Sequence, residues 1–142
     1  MSTENSALYY AKAAVETMMR KFQAQDLPPK GHFHYHQGVF LSGVYQTYRL
    51  CGDRRYFDYM KGCVDSCVDE KGEIHECDLG ALDDIQPGIL LYPLLDETGD
   101  ERYKKALDTL LAAIKDFPRN EIGGFWHKVD CPEQMWLDGL YM

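Results

Sequence analysis

The amino-acid sequence predicts an all-α fold in which helical hairpins are arranged as part of a ring. One amphipathic element occurs twice, over residues 53–69 and 100–116, with an offset of 47 residues. An apolar segment that opens with glycine occurs three times, at Gly38, Gly88 and Gly139, with spacings of 50 and 51 residues. A fixed period of this length is typical of arrays of helical hairpins.

The amphipathic elements each carry apolar residues at i, i+4, i+7, i+8 and i+11, which form one face of an α-helix. Each element follows a Gly-Asp pair whose aspartate is expected to be the N-cap. A further helix precedes them. The three apolar faces are Leu8, Ala11, Val15, Met18, Met19 and Phe22; Tyr56, Met60, Cys63, Val64 and Cys67; and Tyr103, Leu107, Leu110, Leu111 and Ile114.

The first two glycine-led segments run to about Leu50 and Leu95 and are apolar almost all round, which predicts helices buried on every side. Glycines in the first segment would let backbones approach closely, and Pro93 predicts a kink in the second. Buried helices that alternate with amphipathic ones form the inner and outer layers of a ring. Six such units need roughly 300 residues, so residues 1–142 are expected to be one domain, the N-terminal portion of a ring.

The composition excludes several classes of partner. The chain carries 23 acidic against 15 basic residues and a net charge of -8, which argues against binding to nucleic acid or to an anionic membrane. No apolar run approaches the ~18 residues of a membrane-spanning helix. Residues 1–5 lack the features of a signal peptide, and five cysteines without a CxxC pair suggest reduced thiols. We therefore expect a cytoplasmic protein.

Two long loops, over residues 69–82 and 117–134, lead into the second and third glycine-led segments. Loops longer than ~12 residues in compact domains are usually functional. Residues 125–128 of the second loop are expected to form a short strand. The openings of the three inner helices should lie at one mouth of the ring, where they would gather carboxylates and aromatic rings suited to a sugar site. The residues concerned are His32, His34, His36, Asp83, Asp84, Trp126, His127, Lys128, Trp136 and Asp138.

Structural interpretations of the same residues stay open. Asp83, Asp84 and Asp138 could each be a helix N-cap, and the two tryptophans, Trp126 and Trp136, could be ordinary core residues. The alternating histidines could place metal ligands on one face of a strand, but no cysteine or carboxylate stands nearby at ligand spacing, so no metal is expected.

Three segments resemble the unsaturated glucuronyl and rhamnogalacturonyl hydrolases, glycoside hydrolase families 88 and 105. They are His34–Gly38, Leu82–Gly88 and Met135–Met142. The last segment, preceded by Gly123-Gly124-Phe125-Trp126-His127, is most similar to family 105. The resemblance covers about residues 30–142 and implies an (α/α)6 toroid, in agreement with the ring predicted from the repeats.

The resemblance implies an enzyme that removes a 4,5-unsaturated galacturonyl residue from rhamnogalacturonan oligosaccharides by hydrating its vinyl ether. By similarity, Asp138 would protonate C4 and then take a proton from the water that attacks C5, while Asp83 would hold sugar hydroxyls. No metal or organic cofactor is implied. The residues that would line the sugar pocket are Tyr35, His36, Trp126, His127, Lys128 and Trp136.

Two other functions remain open from the sequence. One is an inactive helical-repeat fragment that serves as a binding or structural module, and the other is a different (α/α)6 enzyme such as a sugar epimerase, which would need a histidine pair such as His34 and His36. A partial ring would expose its inner helices and lack the site residues of the remaining hairpins. The 142 residues on their own are therefore expected to self-associate or be unstable, and to be inactive.

Overall fold

The computed structural model describes residues 6–142, so the first five residues, on which the argument about export rests, lie outside it. Seven α-helices and two short 3-10 helices, Ala24–Asp26 and Gln86–Leu90, follow one another along the described chain. The α-helices are α1 (Ala7–Lys21), α2 (Tyr35–Cys51), α3 (Arg54–Asp65), α4 (Leu82–Ile85), α5 (Leu91–Thr98), α6 (Glu101–Lys115) and α7 (Leu137–Tyr141).

The repeated amphipathic element is confirmed as α3 and α6. Asp53 and Asp100 are the N-caps, and their carboxylates accept hydrogen bonds from the backbone N–H groups of Arg55 and Arg102. All five apolar positions of the α3 stripe are buried. The α6 stripe is buried only in part, since Leu111 is 50% exposed. None of the described elements covers that edge of α6.

Each of the two repeated helices is joined to the preceding outer helix by a hydrogen bond from a tyrosine to a carboxylate. In α3, the buried Tyr56 donates a hydrogen bond of 2.9 Å to Glu16 of α1, and burial raises the pKa of this phenol to about 12. In α6, the equivalent Tyr103 donates one of 2.7 Å to Asp65 of α3. Arg102 also reaches Asp65 at 2.7 Å. The repeat therefore extends from the apolar stripe to a polar contact between successive outer helices.

Among the described residues, the inner helices are buried on one side only, as expected for part of a ring and not on every side as in a complete one. Helix α2 packs against α1, α3 and the 3-10 helix Gln86–Leu90, and α5 packs against α6. On the opposite sides, Val39, Leu50, Ile89 and Tyr92 are all more than 40% exposed. Each is apolar, but no element among residues 6–142 lies over it.

The second inner segment, in which a kink is predicted at Pro93, is not one regular α-helix. It begins as the 3-10 helix Gln86–Leu90, and regular α-helix starts at Leu91. Pro93 thus lies in the first turn of α5, where its missing N–H removes no intrahelical hydrogen bond. The change of helix type falls two residues earlier than the proline.

Helix α1 begins after Ser6, whose hydroxyl accepts a hydrogen bond from the N–H of Tyr9. Its apolar face turns towards the shared core, which also includes side chains from α2, α3, α5 and α6. Val15 is fully buried there, and Met18, Met19 and Phe22 pack against the core with part of their surface exposed. Along residues 6–142 no helix combines the length and the apolar character that crossing a membrane requires.

Only one of the two α2 glycines permits a close backbone approach. A Cβ atom added at Gly38 would overlap the side-chain oxygen of Gln86 and stand 3.1 Å from the Cα of Pro87. A Cβ atom added at Gly43 would meet nothing within 4 Å. Gly38 therefore lets α2 pack tightly against the 3-10 helix, whereas Gly43 has no such role.

These two glycines give a matched pair of variants. We expect Gly43→Ala to raise the free energy of unfolding by about 0.5–1 kcal/mol, because alanine is the better helix former and has room. Gly38→Ala should lower it by about 1–3 kcal/mol, because the contact with Gln86 and Pro87 becomes overpacked. Urea unfolding of both variants beside the wild type measures the difference. Equal effects of the two substitutions would contradict the packing described for Gly38.

Candidate functional site

Backbone hydrogen bonds fasten the loop between α6 and α7 to the start of α4. Leu82 N–H donates to the carbonyl of His127 at 3.1 Å, and Val129 N–H donates to the carbonyl of Gly80 at 2.9 Å. The short strand expected over residues 125–128 does not form. Instead Phe125 and Lys128 each make an isolated bridge, and their partners, Arg119 and Ala81, belong to different segments.

Asp83 is a buried carboxylate beside two basic side chains. Its side chain is 10% exposed, and its Oδ2 lies 3.1 Å from the Nζ of Lys128. Its Oδ1 lies 3.4 Å from the Nε2 of His127 but accepts no hydrogen bond. The hydrogen bond to Asp83 raises the pKa of the Lys128 ammonium. A buried carboxylate is costly without a partner, and the Lys128 ammonium offsets this cost at Asp83.

His127 and Trp136 form an aromatic stack next to this ion pair. Their ring centroids are 4.0 Å apart and the planes differ by 12°. The His127 side chain is 1% exposed, whereas Trp136 keeps 43% of its surface in solvent. Gln134 holds both residues, because its carbonyl accepts from His127 N–H at 2.7 Å and its side-chain oxygen accepts from the Trp136 indole at 3.0 Å.

Asp138 lies on the other side of His127. Its Oδ1 is 3.9 Å from the Nδ1 of His127 and accepts a hydrogen bond of 3.0 Å from the N–H of Gly139. The carboxylate is half exposed. Two predicted carboxylates, one buried and one accessible, are therefore brought together through a single imidazole although 55 residues separate them in the sequence.

None of the three aspartates is the N-cap of its helix. Helix α4 begins after Ala81 and α7 begins after Trp136, and neither of these residues caps with its side chain. The Asp84 carboxylate instead accepts a hydrogen bond of 2.7 Å from the backbone N–H of Asp78. The capping interpretation left open by the sequence is therefore wrong for Asp83, Asp84 and Asp138.

The histidine segment lies at the start of α2 as a separate aromatic cluster. The ring of Tyr35 stacks on that of His36 at 4.2 Å, and the ring of His34 packs beside both. His34 is the N-cap of α2 and places its Nε2 3.8 Å from the Oδ1 of Asp84. This contact, which sequence reasoning missed, connects the cluster with α4. Because a helix begins at Tyr35, the histidines cannot line one face of a strand.

Trp126 lies on the same loop as His127 and is partly buried. Its backbone N–H donates to the carbonyl of Pro118 at 3.0 Å. Its indole N–H is buried without a hydrogen-bond partner. Of the predicted site residues, the structure thus joins Asp83, His127, Lys128, Trp136 and Asp138 by direct contacts. It places Tyr35 and His36 in the neighbouring cluster. Gln134, which positions two of these residues, carries no signal in the sequence.

One group of described residues comes within range of a shared metal ion, namely Asp83, His127 and Asp138, which offer ligand atoms within 4.8 Å of one another. The charges around the group do not favour an ion. Lys128 already supplies a positive charge to Asp83. We therefore assign no metal to this group.

The chain is similar to a family model and to a solved structure of known proteins. The model of glycosyl hydrolase family 88 matches residues 10–142. The solved structure of a family 105 glycoside hydrolase from C. acetobutylicum ATCC 824 is similar, with 34% identity and a TM-score of 0.84. The match covers 93% of this chain and 36% of that one, so the chain spans about a third of the length of that relative. It confirms the predicted fold class, in which the helical hairpins are part of an (α/α)6 toroid.

The cluster at the start of α2 makes stability depend on pH. Burial lowers the pKa of His34 below its usual 6.5, against the opposing influence of Asp84. The unfolded chain then binds a proton at a higher pH than the folded one. This contribution to stability is therefore present above pH 6.5 and is lost as the pH falls through the lower folded pKa.

We expect the free energy of unfolding to fall less steeply on acidification in His34→Asn than in the wild type, because asparagine keeps an N-cap but does not titrate. Urea unfolding at several pH values between about 7 and 5 measures the slope. The control is His75→Asn, which removes a largely exposed histidine. Parallel slopes for the wild type and His34→Asn would contradict the assignment.

Proposed function

The chain belongs to glycosyl hydrolase family 88, and on this basis we propose that it acts in removing 4,5-unsaturated galacturonyl residues from rhamnogalacturonan oligosaccharides. One observation supports this most. A half-exposed carboxylate, Asp138, stands beside a half-exposed indole, Trp136, with the buried Asp83 behind them. An accessible acid next to an aromatic face is the arrangement that proton transfer to a bound sugar requires.

In the proposed reaction, the acid form of Asp138 donates its proton to C4 of the vinyl ether, and positive charge develops at C5. Water adds to C5 and gives its proton to the Asp138 carboxylate, which restores the acid. The product is a hemiketal at C5. Its ring C–O bond breaks to leave a C5 ketone, and the C1 hemiacetal then releases the remaining oligosaccharide as an alcohol. Water therefore attacks C5, and the anomeric carbon C1, which carries the leaving group, is not attacked.

The other residues are proposed to bind the sugar. The exposed face of Trp136 offers a platform for the C–H surface of the ring. Asp83 Oδ1 accepts no hydrogen bond, so it is available to a sugar hydroxyl. The Lys128 ammonium uses one donor on Asp83 and has two left for the substrate carboxylate. Tyr35 and His36, at the start of α2, and Trp126 are proposed to complete the pocket.

The chemistry is tested by following the absorbance of the unsaturated uronide with a lyase-generated rhamnogalacturonan disaccharide. In a full-length version that carries the remaining hairpins, we expect the signal to fall with the wild-type sequence and with Asp116→Asn, which alters an exposed aspartate at the end of α6. Asp138→Asn should lower the rate by at least ~100-fold, because the amide cannot donate the proton. Retained activity in Asp138→Asn would refute the acid/base role. Binding without turnover by the wild type would favour the alternative of an inactive binding module.

We also propose that the chain self-associates through the exposed sides of its inner helices. The apolar side chains there are half exposed or more, which is unusual for a monomer: Ile89, Tyr92, Leu137, Leu140 and Tyr141.

Light scattering should give a mass above the 16.4 kDa of one chain. Ile89→Lys should lower this mass, because an ammonium cannot enter an apolar contact without a partner. Ile122→Lys changes an isoleucine that is 84% exposed on the loop after α6 and serves as the control. A monomeric mass together with a sharp thermal transition would contradict the proposal.

A further inference from the structure

The imidazole of His127 lies between the two carboxylates of the site. Its Nε2 is 3.4 Å from Asp83 Oδ1, and its Nδ1 is 3.9 Å from Asp138 Oδ1. Two buried polar atoms of this group, Asp83 Oδ1 and His127 Nδ1, have no hydrogen-bond partner. Since buried polar atoms are nearly always paired, atoms left without a partner at this point require an explanation.

The position of the ring is fixed by contacts other than those with the carboxylates. The backbone of His127 is held on both sides, by Gln134 and by Leu82. Trp136 covers one face of the ring. A Cβ atom at Gly139 would stand 3.2 Å from Nδ1, so the absence of a side chain there lets the backbone of α7 approach this nitrogen closely. The fold thus fixes the ring with Nε2 near Asp83 and Nδ1 near Asp138.

The charges around His127 determine which nitrogen carries the proton of the neutral ring. Asp83, on α4, pairs with the Lys128 ammonium, and its Oδ1 lies 3.4 Å from Nε2. Asp138, on α7, faces Nδ1. Farther out on the α4 side stand Asp84 and the partly buried His34. An ionised carboxylate favours an N–H donor directed at it, so the proton belongs on Nε2 and Nδ1 is left as an acceptor towards Asp138.

We propose that His127 is a positioning residue that shares one proton with Asp138 and thereby keeps the acid form of Asp138 available. The inference rests on the proposed function, and it gives His127 a role other than contact with the sugar. The pair holds a single proton, either on Asp138 or on Nδ1, and the total charge is the same in both cases.

The role fits the proton balance of the proposed reaction. Asp138 passes its proton to C4 and regains one from water, so a turnover consumes no proton from the pair. If Asp138 enters the cycle as the carboxylate, a proton on Nδ1 of His127 can move to it before the sugar reacts. The 3.9 Å separation must shorten for this transfer, and hydrogen bonds of this kind often tighten only when substrate is bound.

The proton arrangement can be measured without turnover, by nitrogen NMR of the histidine rings of the 142-residue chain. A spectrum of His127→Gln assigns the signals of His127. We expect Nε2 protonated and Nδ1 bare in the neutral ring. In Asp138→Asn, the His127 imidazolium should lose its Nδ1 proton at a lower pH than in the wild type, because the neighbouring carboxylate is gone. Asp116→Asn should leave the titration unchanged.

A proton on Nδ1 of the neutral ring, or an unchanged titration in Asp138→Asn, would overturn the proposal. Asp138 is half exposed, so this variant should fold even if a substitution at the buried His127 does not. Because the NMR signal does not depend on catalysis, its failure is distinct from a failure of the proposed function, which would appear as a lack of turnover in the wild type.

The pH profile of kcat/KM for the disaccharide gives the second readout. In His127→Gln, the amide nitrogen takes the place of Nε2 near Asp83 but no group replaces Nδ1, so the alkaline limb should move to lower pH. His127→Asn places a polar atom near the position of Nδ1 and should therefore reverse part of the shift in the alkaline limb. A fall in rate with an unmoved alkaline limb in both variants would show a purely structural role and overturn the proposal.

Discussion

The backbone pairing between residues 80–82 and 127–129 is the constraint on which the site depends. Two hydrogen bonds of 3.1 and 2.9 Å hold a loop segment against the start of α4, where no regular sheet exists to fix it. Both His127 and Lys128 thereby reach the same carboxylate, one at each oxygen of Asp83. The short α7 follows directly and brings Trp136 and Asp138 to the other side of the imidazole. Without this pairing, the two carboxylates would belong to unrelated parts of the chain.

Polar groups between the outer helices are paired, whereas some of the buried polar groups in the candidate site are not. On the outer layer, the phenols of Tyr56 and Tyr103 both have carboxylate partners at 2.9 Å or less, which is what a contact that stabilises the fold requires. In the site, Asp83 is buried and only partly satisfied, and the nitrogen of His127 that faces Asp138 has no partner. Burial of incompletely paired polar groups costs free energy of folding. These incompletely paired groups lie where a sugar is proposed to bind, and such local losses of folding free energy are common at functional sites.

The sequence predicted the outer helices well because their signals are local: a stripe of period 3.6 and an aspartate cap are complete within fifteen residues. Which apolar side chains are buried is harder to predict, because it depends on neighbouring elements. Leu111 and Ile89 are as apolar as their buried neighbours but are not covered by another element of the described chain. The period of the repeat correctly indicated that the starts of α4 and α7 lie close together. It could not indicate that Lys128 contacts Asp83, because a contact across 45 residues depends on the path of an irregular loop.

The central claim is that one carboxylic acid delivers a proton to one face of the unsaturated sugar. Proton NMR of the product formed during a short reaction in D2O tests it most directly, because the two hydrogens at C4 of the product are distinguishable. The account predicts deuterium at only one of the two C4 positions, since Asp138 approaches the double bond from a single side. Deuterium distributed equally over both positions would mean that C4 is protonated by solvent after release, and it would contradict the account.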